Sequence, residues 1–142
     1  MNELFHWFAF FLVTAFTLRW EVEGTTVAGL GVPAGATLDR FSTPYSVAID
    51  SSNALYVADY YNNRIQKFSL GSLMGTTVAG QTSGTPGSSA YDLHYPACVL
   101  VDSNGNLYVS DSLNHRVQLF SNVSLLGITV AGNGKKTRTA KN

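Results

Sequence analysis

Two stretches of this 142-residue chain carry opposite charges at a fixed spacing. Asp59 precedes Arg64 by five positions, with Asn62 between them, and Asp111, Asn114 and Arg116 repeat the arrangement. A carboxylate and a guanidinium so placed could hold a charged ligand. They could also close a turn, the Asp accepting backbone N–H bonds and the Arg bridging to the carboxylate through its planar fork. A catalytic site is usually built once, from unequal contributions. A triplet that recurs at the same place in two units reads instead as a structural clamp.

Little else offers chemistry. His6, His94 and His115 fall at unrelated positions, and no spacing suggests a metal site. Cys98 is the single cysteine, so neither a disulfide framework nor a thiolate metal centre is possible within the chain. It sits in the apolar run Ala97–Val101, where a buried, inert thiol is expected. No catalytic residue, metal or cofactor is expected.

The clamps belong to a longer repeat. YVADYYNNRIQKF at 56–68 returns as YVSDSLNHRVQLF at 108–120. From Phe41 to Phe68, 12 of 28 positions are identical to those 52 residues on. The string GTTVAG at 24–29 recurs at 75–80, and as GITVAG at 127–132. Pro44 and Pro96 mark strand starts, where a missing N–H is tolerated. The segments 50–53 and 102–105 read as tight turns rich in Asn, Asp, Ser and Gly. Strands follow at 54–58 and 106–110, then turns at 59–63 and 111–115. Third strands run over 64–68 and 116–120, and fourth strands over 76–79 and 128–131. Four short strands per unit, at a period near 50, build propeller blades. Blade one is expected over 41–80 and blade two over 93–132. Residues 24–29 are expected as the outer strand of a blade that is absent. Tyr56 and Tyr108 are expected to pack between neighbouring blades, with an aromatic ligand platform as the alternative.

Composition agrees with an all-β class. Charged residues make up 13% and aromatics 12%, and Gly, Ser, Thr, Val and Tyr are abundant. From Gly24 to Gly132 there are four basic residues against six acidic ones, which is not the electrostatic footprint of a nucleic-acid binder. The basic tail 133–142 is expected to be disordered and solvated.

The pattern Pro, Val, Asp, then Leu-Tyr-Val-x-Asp, then Asn-x-Arg-Ile/Val-Gln-x-Phe resembles the NHL repeat, over residues 24–132 in two copies. Asn114 and His115 match the Asn-His of its name; Asn63 replaces the His in the first unit. The resemblance implies an all-β fold of two four-stranded antiparallel propeller blades plus one extra strand. Relatives usually close into rings of about six blades. Some propellers similar to this one are zinc-dependent lyases, but no His or Tyr constellation here carries over.

Two blades cannot close a ring, and repeat units do not bury their apolar faces alone. The chain is therefore expected to be a fragment of a longer propeller, to complete a six-bladed ring as three copies, or to persist as a small β-sandwich-like pair of blades with adhesive edges. Self-association is expected. Function is expected to be that of a non-catalytic binding module for protein or glycan, with the loops 30–40 and 81–92 as candidate contact segments. A fragment of a lyase- or lactonase-like propeller enzyme and an RNA-binding module are the alternatives. Residues 1–20, with the apolar run Leu4–Leu18, read as a signal peptide or an apolar N-terminal helix. That run implies a secreted, extracellular protein, or alternatively one held at a membrane by this segment alone. The sequon Asn122-Val123-Ser124 then permits glycosylation at Asn122.

Overall fold

The computed structural model describes residues 23–31 and 33–134. Among the described residues there are eight strands: β1 (Pro44–Ile49), β2 (Leu55–Asp59), β3 (Arg64–Phe68), β4 (Thr76–Gly80), β5 (Pro96–Val101), β6 (Leu107–Asp111), β7 (Arg116–Phe120) and β8 (Gly127–Gly132). They form two four-stranded antiparallel sheets, ordered β1-β2-β3-β4 and β5-β6-β7-β8. Each sheet is a meander of neighbouring strands and makes one blade.

Local chemistry explains the turns. Asp50 caps the first hairpin by accepting from the Ser52 and Ala54 N–H groups, and Asp102 does the same for Asn104 and Asn106. Asn53 and Gly105 take the positive φ that those turns need. The β2–β3 and β6–β7 links each hold a single 3-10 turn, Tyr60–Asn62 and Ser112–Asn114. Asn63 and His115 end these turns with left-handed backbone, at φ 51° and 52°.

Side chains alternate between the two faces of each sheet. The face of blade one that carries Tyr56, Ala58 and Ile65 packs on the face of blade two that carries Val99, Leu107, Val109 and Phe120. Ala54, Ala79 and Leu93 complete this buried cluster. The core is thus an interface between blades. β1 and β2 both pack on β5.

Three expectations meet a different outcome. Residues 24–29 form no strand, since no described sheet supplies their hydrogen-bond partners. Cys98 is exposed: it points to the face of β5 opposite that of Val99, which no described sheet covers, and its Sγ accepts from Ser46 Oγ at 3.9 Å. Tyr108 is partly exposed for the same reason, whereas Tyr56 is buried between blades as expected. The N-terminal helix or signal peptide lies outside the described residues, as does the tail from residue 135. No helix among the described residues is long and apolar enough to cross a membrane.

Candidate functional site

The repeated triplets come together as the sequence spacing implies. Arg64 Nε donates to Asp59 Oδ2 at 2.9 Å, and Asn62 Nδ2 donates to both Asp59 oxygens. The guanidinium then reaches the carbonyls of Ala36, Thr37, Arg40 and Thr82. Asp59 also accepts from the Ser42 N–H. Arg116, Asp111 and Asn114 repeat the geometry: Arg116 Nε lies 2.8 Å from Asp111 Oδ2, and Arg116 reaches the carbonyls of Ser89 and Asp92. Burial pushes the Asp59 carboxyl above the usual carboxylate range, while the bonds from Ser42, Asn62 and Arg64 pull it down. The polar groups of this cluster bond one another and the chain's own backbone. What the clamps hold are the loops 30–40 and 81–92, so much of each candidate contact loop is committed to covering its blade.

A cluster of tyrosines, two of them exposed, lies beside the first clamp. The Tyr60 ring stacks on Tyr45 at 5.1 Å and on Tyr95 at 4.9 Å. Tyr61 stands edge-on to both Tyr60 and Tyr95, at 5.2 and 5.6 Å, and His94 packs edge-on to Tyr95 at 4.8 Å. Tyr45 and Tyr61 are exposed. The five rings form a ledge across the junction of the two blades, at the end where β2 turns into β3.

Each ring is placed by a local device. β1 shifts register between Pro44 and Ser46, so Tyr45 is the unpaired residue of a bulge and its side chain is re-aimed toward Tyr60. Tyr60 and Tyr61 occupy the 3-10 turn, which is held by N–H bonds to the carbonyls of Thr43 and Ser42. Tyr95 sits at φ 54°, and its N–H donates to Asn63 Oδ1 at 2.9 Å. Asn63 also donates to the Tyr61 and Gly84 carbonyls, so a single side chain ties blade one to the start of blade two.

Sequence reasoning missed this ledge. Its members do not repeat: Ala97, Ser112 and Leu113 stand where Tyr45, Tyr60 and Tyr61 would recur. Subtracting one unit from the other would have marked them. The aromatic pair that the repeat brings forward, Tyr56 and Tyr108, does not meet the ledge. Tyr56 donates its hydroxyl to Asp50 and lies under the Lys67 ammonium. Asn122 is exposed and donates to the Asn104 carbonyl. His115 is spent as the turn-ending residue. Among the described residues no group of three His, Cys, Asp or Glu side chains could hold a metal ion.

Comparison with known proteins identifies the repeated units. The NHL repeat family matches residues 41–68 and 93–120. The chain is 35% identical over 99 residues to NHL repeat-containing protein 2 of Bos taurus, an alignment that takes in 66% of this chain and 13% of that protein. The chain therefore spans a small part of that relative's length. Among solved structures, a streptogramin B lyase aligns with a TM-score of 0.40 at 18% identity, over 62% of this chain and 25% of that one.

Proposed function

We propose that this NHL-repeat chain, a pair of propeller blades, is a non-catalytic binding module that takes a protein or glycan ligand on the tyrosine ledge. The observation that carries the reading is the exposure of Tyr45 and Tyr61 beside the stacked Tyr60 and Tyr95. Rigid aromatic rings with a polar tip give large contact area at low entropic cost, which is why tyrosine is enriched where proteins bind. A sugar ring or a peptide side chain can lie on such rings while a phenol hydroxyl bonds its polar edge.

Charge disfavours RNA on the same rings. Among the described residues the basic side chains are Arg40, Arg64, Lys67 and Arg116, and each is engaged within the chain. A single-stranded nucleic acid would need free cations along the stacking platform. Catalysis would need acids, bases or a metal converging on one point, and the carboxylates near the ledge are bound to Arg and Asn instead. An extracellular setting belongs to the same reading. It rests on the apolar run Leu4–Leu18 and the exposed sequon at Asn122.

The test is a comparison of the wild-type chain with the Tyr45→Ala/Tyr61→Ala variant on glycan arrays and displayed peptide libraries. Both residues are exposed, so the fold should survive. Ligands found with the wild type should lose about tenfold or more in affinity on the variant. Ligands that bind both proteins equally would place recognition elsewhere.

A further inference from the structure

The two faces left open by the pair of blades are the two halves of the contact that already joins them. Within the chain, the far face of blade one, with Tyr56, Ala58 and Ile65, seats on the near face of blade two, with Val99, Leu107 and Val109. Because the units repeat, blade one has a near face of its own and blade two a far face. Both are uncovered. Val47 is 63% exposed on the near face of blade one, while its counterpart Val99 is 1% exposed. Tyr108 is 37% exposed on the far face of blade two, while its counterpart Tyr56 is 4% exposed. Ile49 extends the first open face, and Leu100, Ile128 and Val130 extend the second; all four are exposed and none is charged.

We propose that these faces bind each other between copies of this chain, head to tail. The near face of blade one in one copy seats on the far face of blade two in the next, repeating the contact made within each chain. The chain itself identifies the occupant. One copy carries both complementary surfaces, and the internal contact shows that residues at these positions pack together until they are fully buried. Apolar surface of this kind gains roughly 1.5–3 kcal/mol per large side chain when covered. A head-to-tail contact uses a different patch on each partner, so association continues beyond two copies until a ring closes. A face-to-face dimer would stop at two and use one patch twice.

Analytical ultracentrifugation of the full chain tests the idea with two variants at exposed positions, Val47→Asp and Leu100→Asp, whose folding is checked by circular dichroism. The wild type should associate with rising concentration beyond a dimer. Each variant alone should be monomeric, since each has lost one of the two faces. An equimolar mixture should give a dimer and nothing larger, because one intact near face then meets one intact far face. Alkylation of Cys98, exposed on the far face, should slow as the wild type assembles. A monomeric wild type overturns the proposal. So does loss of association in one variant but not the other, and so does a mixture that stays monomeric.

Discussion

Arg64 donates its Nε to Asp59 at 2.9 Å with both side chains wholly buried, whereas the matching pair of blade two, Arg116 and Asp111, leaves the arginine 11% exposed. The difference follows from position. The Thr82 carbonyl, from the loop that leads into blade two, also accepts from Arg64. Arg116 bonds two carbonyls and Arg64 four. Breaking a buried pair leaves an uncompensated charge and costs about 3–5 kcal/mol. Arg64→Leu should therefore destabilise strongly, against a total stability of only about 5–15 kcal/mol for a typical domain. Arg116→Leu should cost less. Urea titration of both variants checks the order; an equal or larger loss for Arg116→Leu would contradict it.

Backbone geometry makes a second prediction. Gly80 has φ 79°, and a Cβ there would collide with the backbone carbonyl of Asn63. The residue lies at the end of β4, opposite Arg64 and beside the register shift in that ladder. Gly80→Ala should cost more than about 1 kcal/mol. Gly71 has a similar φ, of 77°, but a Cβ there would meet nothing within 4 Å. Gly71→Ala should cost only the backbone strain. Thermal melts that rank Gly80→Ala below Gly71→Ala in stability are the expected result.

The turn carboxylates predict sensitivity to acid. The Ser52 hydroxyl, with the Ala54 N–H and the Tyr56 hydroxyl, holds Asp50 well below its ordinary 3.8. The side chain and N–H of Asn106 likewise lower Asp102. A carboxylate with a depressed folded pKa stabilises the fold above its unfolded value, and that contribution is lost as pH falls below about 3.8 toward the folded value. Asp59 is shifted upward by burial and works in the opposite sense, its contribution being lost as pH rises through its folded pKa. Stability should fall as pH drops from about 4 to about 2, and Asp50→Asn should flatten that fall. Urea midpoints at these pH values measure it.

Much of the fold was legible because blades must be alike where they fold themselves. Asp59, Asn62 and Arg64 recur as Asp111, Asn114 and Arg116 because each outer turn needs the same donors and acceptors. The strand positions followed, since Pro44 and Pro96 and the turn residues punctuate each unit. Exposure was not legible. Val47 and Val99 have one residue type and one place in the repeat, yet opposite burial, because only one of them has a blade above it. Cys98 and residues 24–29 departed from expectation on the same ground. The ledge escaped for the converse reason: Tyr45, Tyr60 and Tyr95 are distant in sequence and are assembled by a bulge, a 3-10 turn and a residue at positive φ.

That last device distinguishes two equivalent residues. Thr43 and Tyr95 both precede the first strand of a blade, at φ 57° and 54°. Positive φ is costly for any side chain, about 1–2 kcal/mol, and most unusual for a β-branched one. The proline that follows each of them restricts the backbone further. Thr43 is exposed, and replacing it by glycine should raise stability by up to about 1 kcal/mol after the extra freedom of the unfolded chain is subtracted. Tyr95→Gly sheds the same strain but removes the ring that stacks on Tyr60 and meets Tyr61 and His94. Its net effect should be destabilising. If strain alone set the outcome, both variants would melt at higher temperature than the wild type. Opposite shifts, up for Thr43→Gly and down for Tyr95→Gly, would show that the strain at Tyr95 is held in place by the ledge it helps to build.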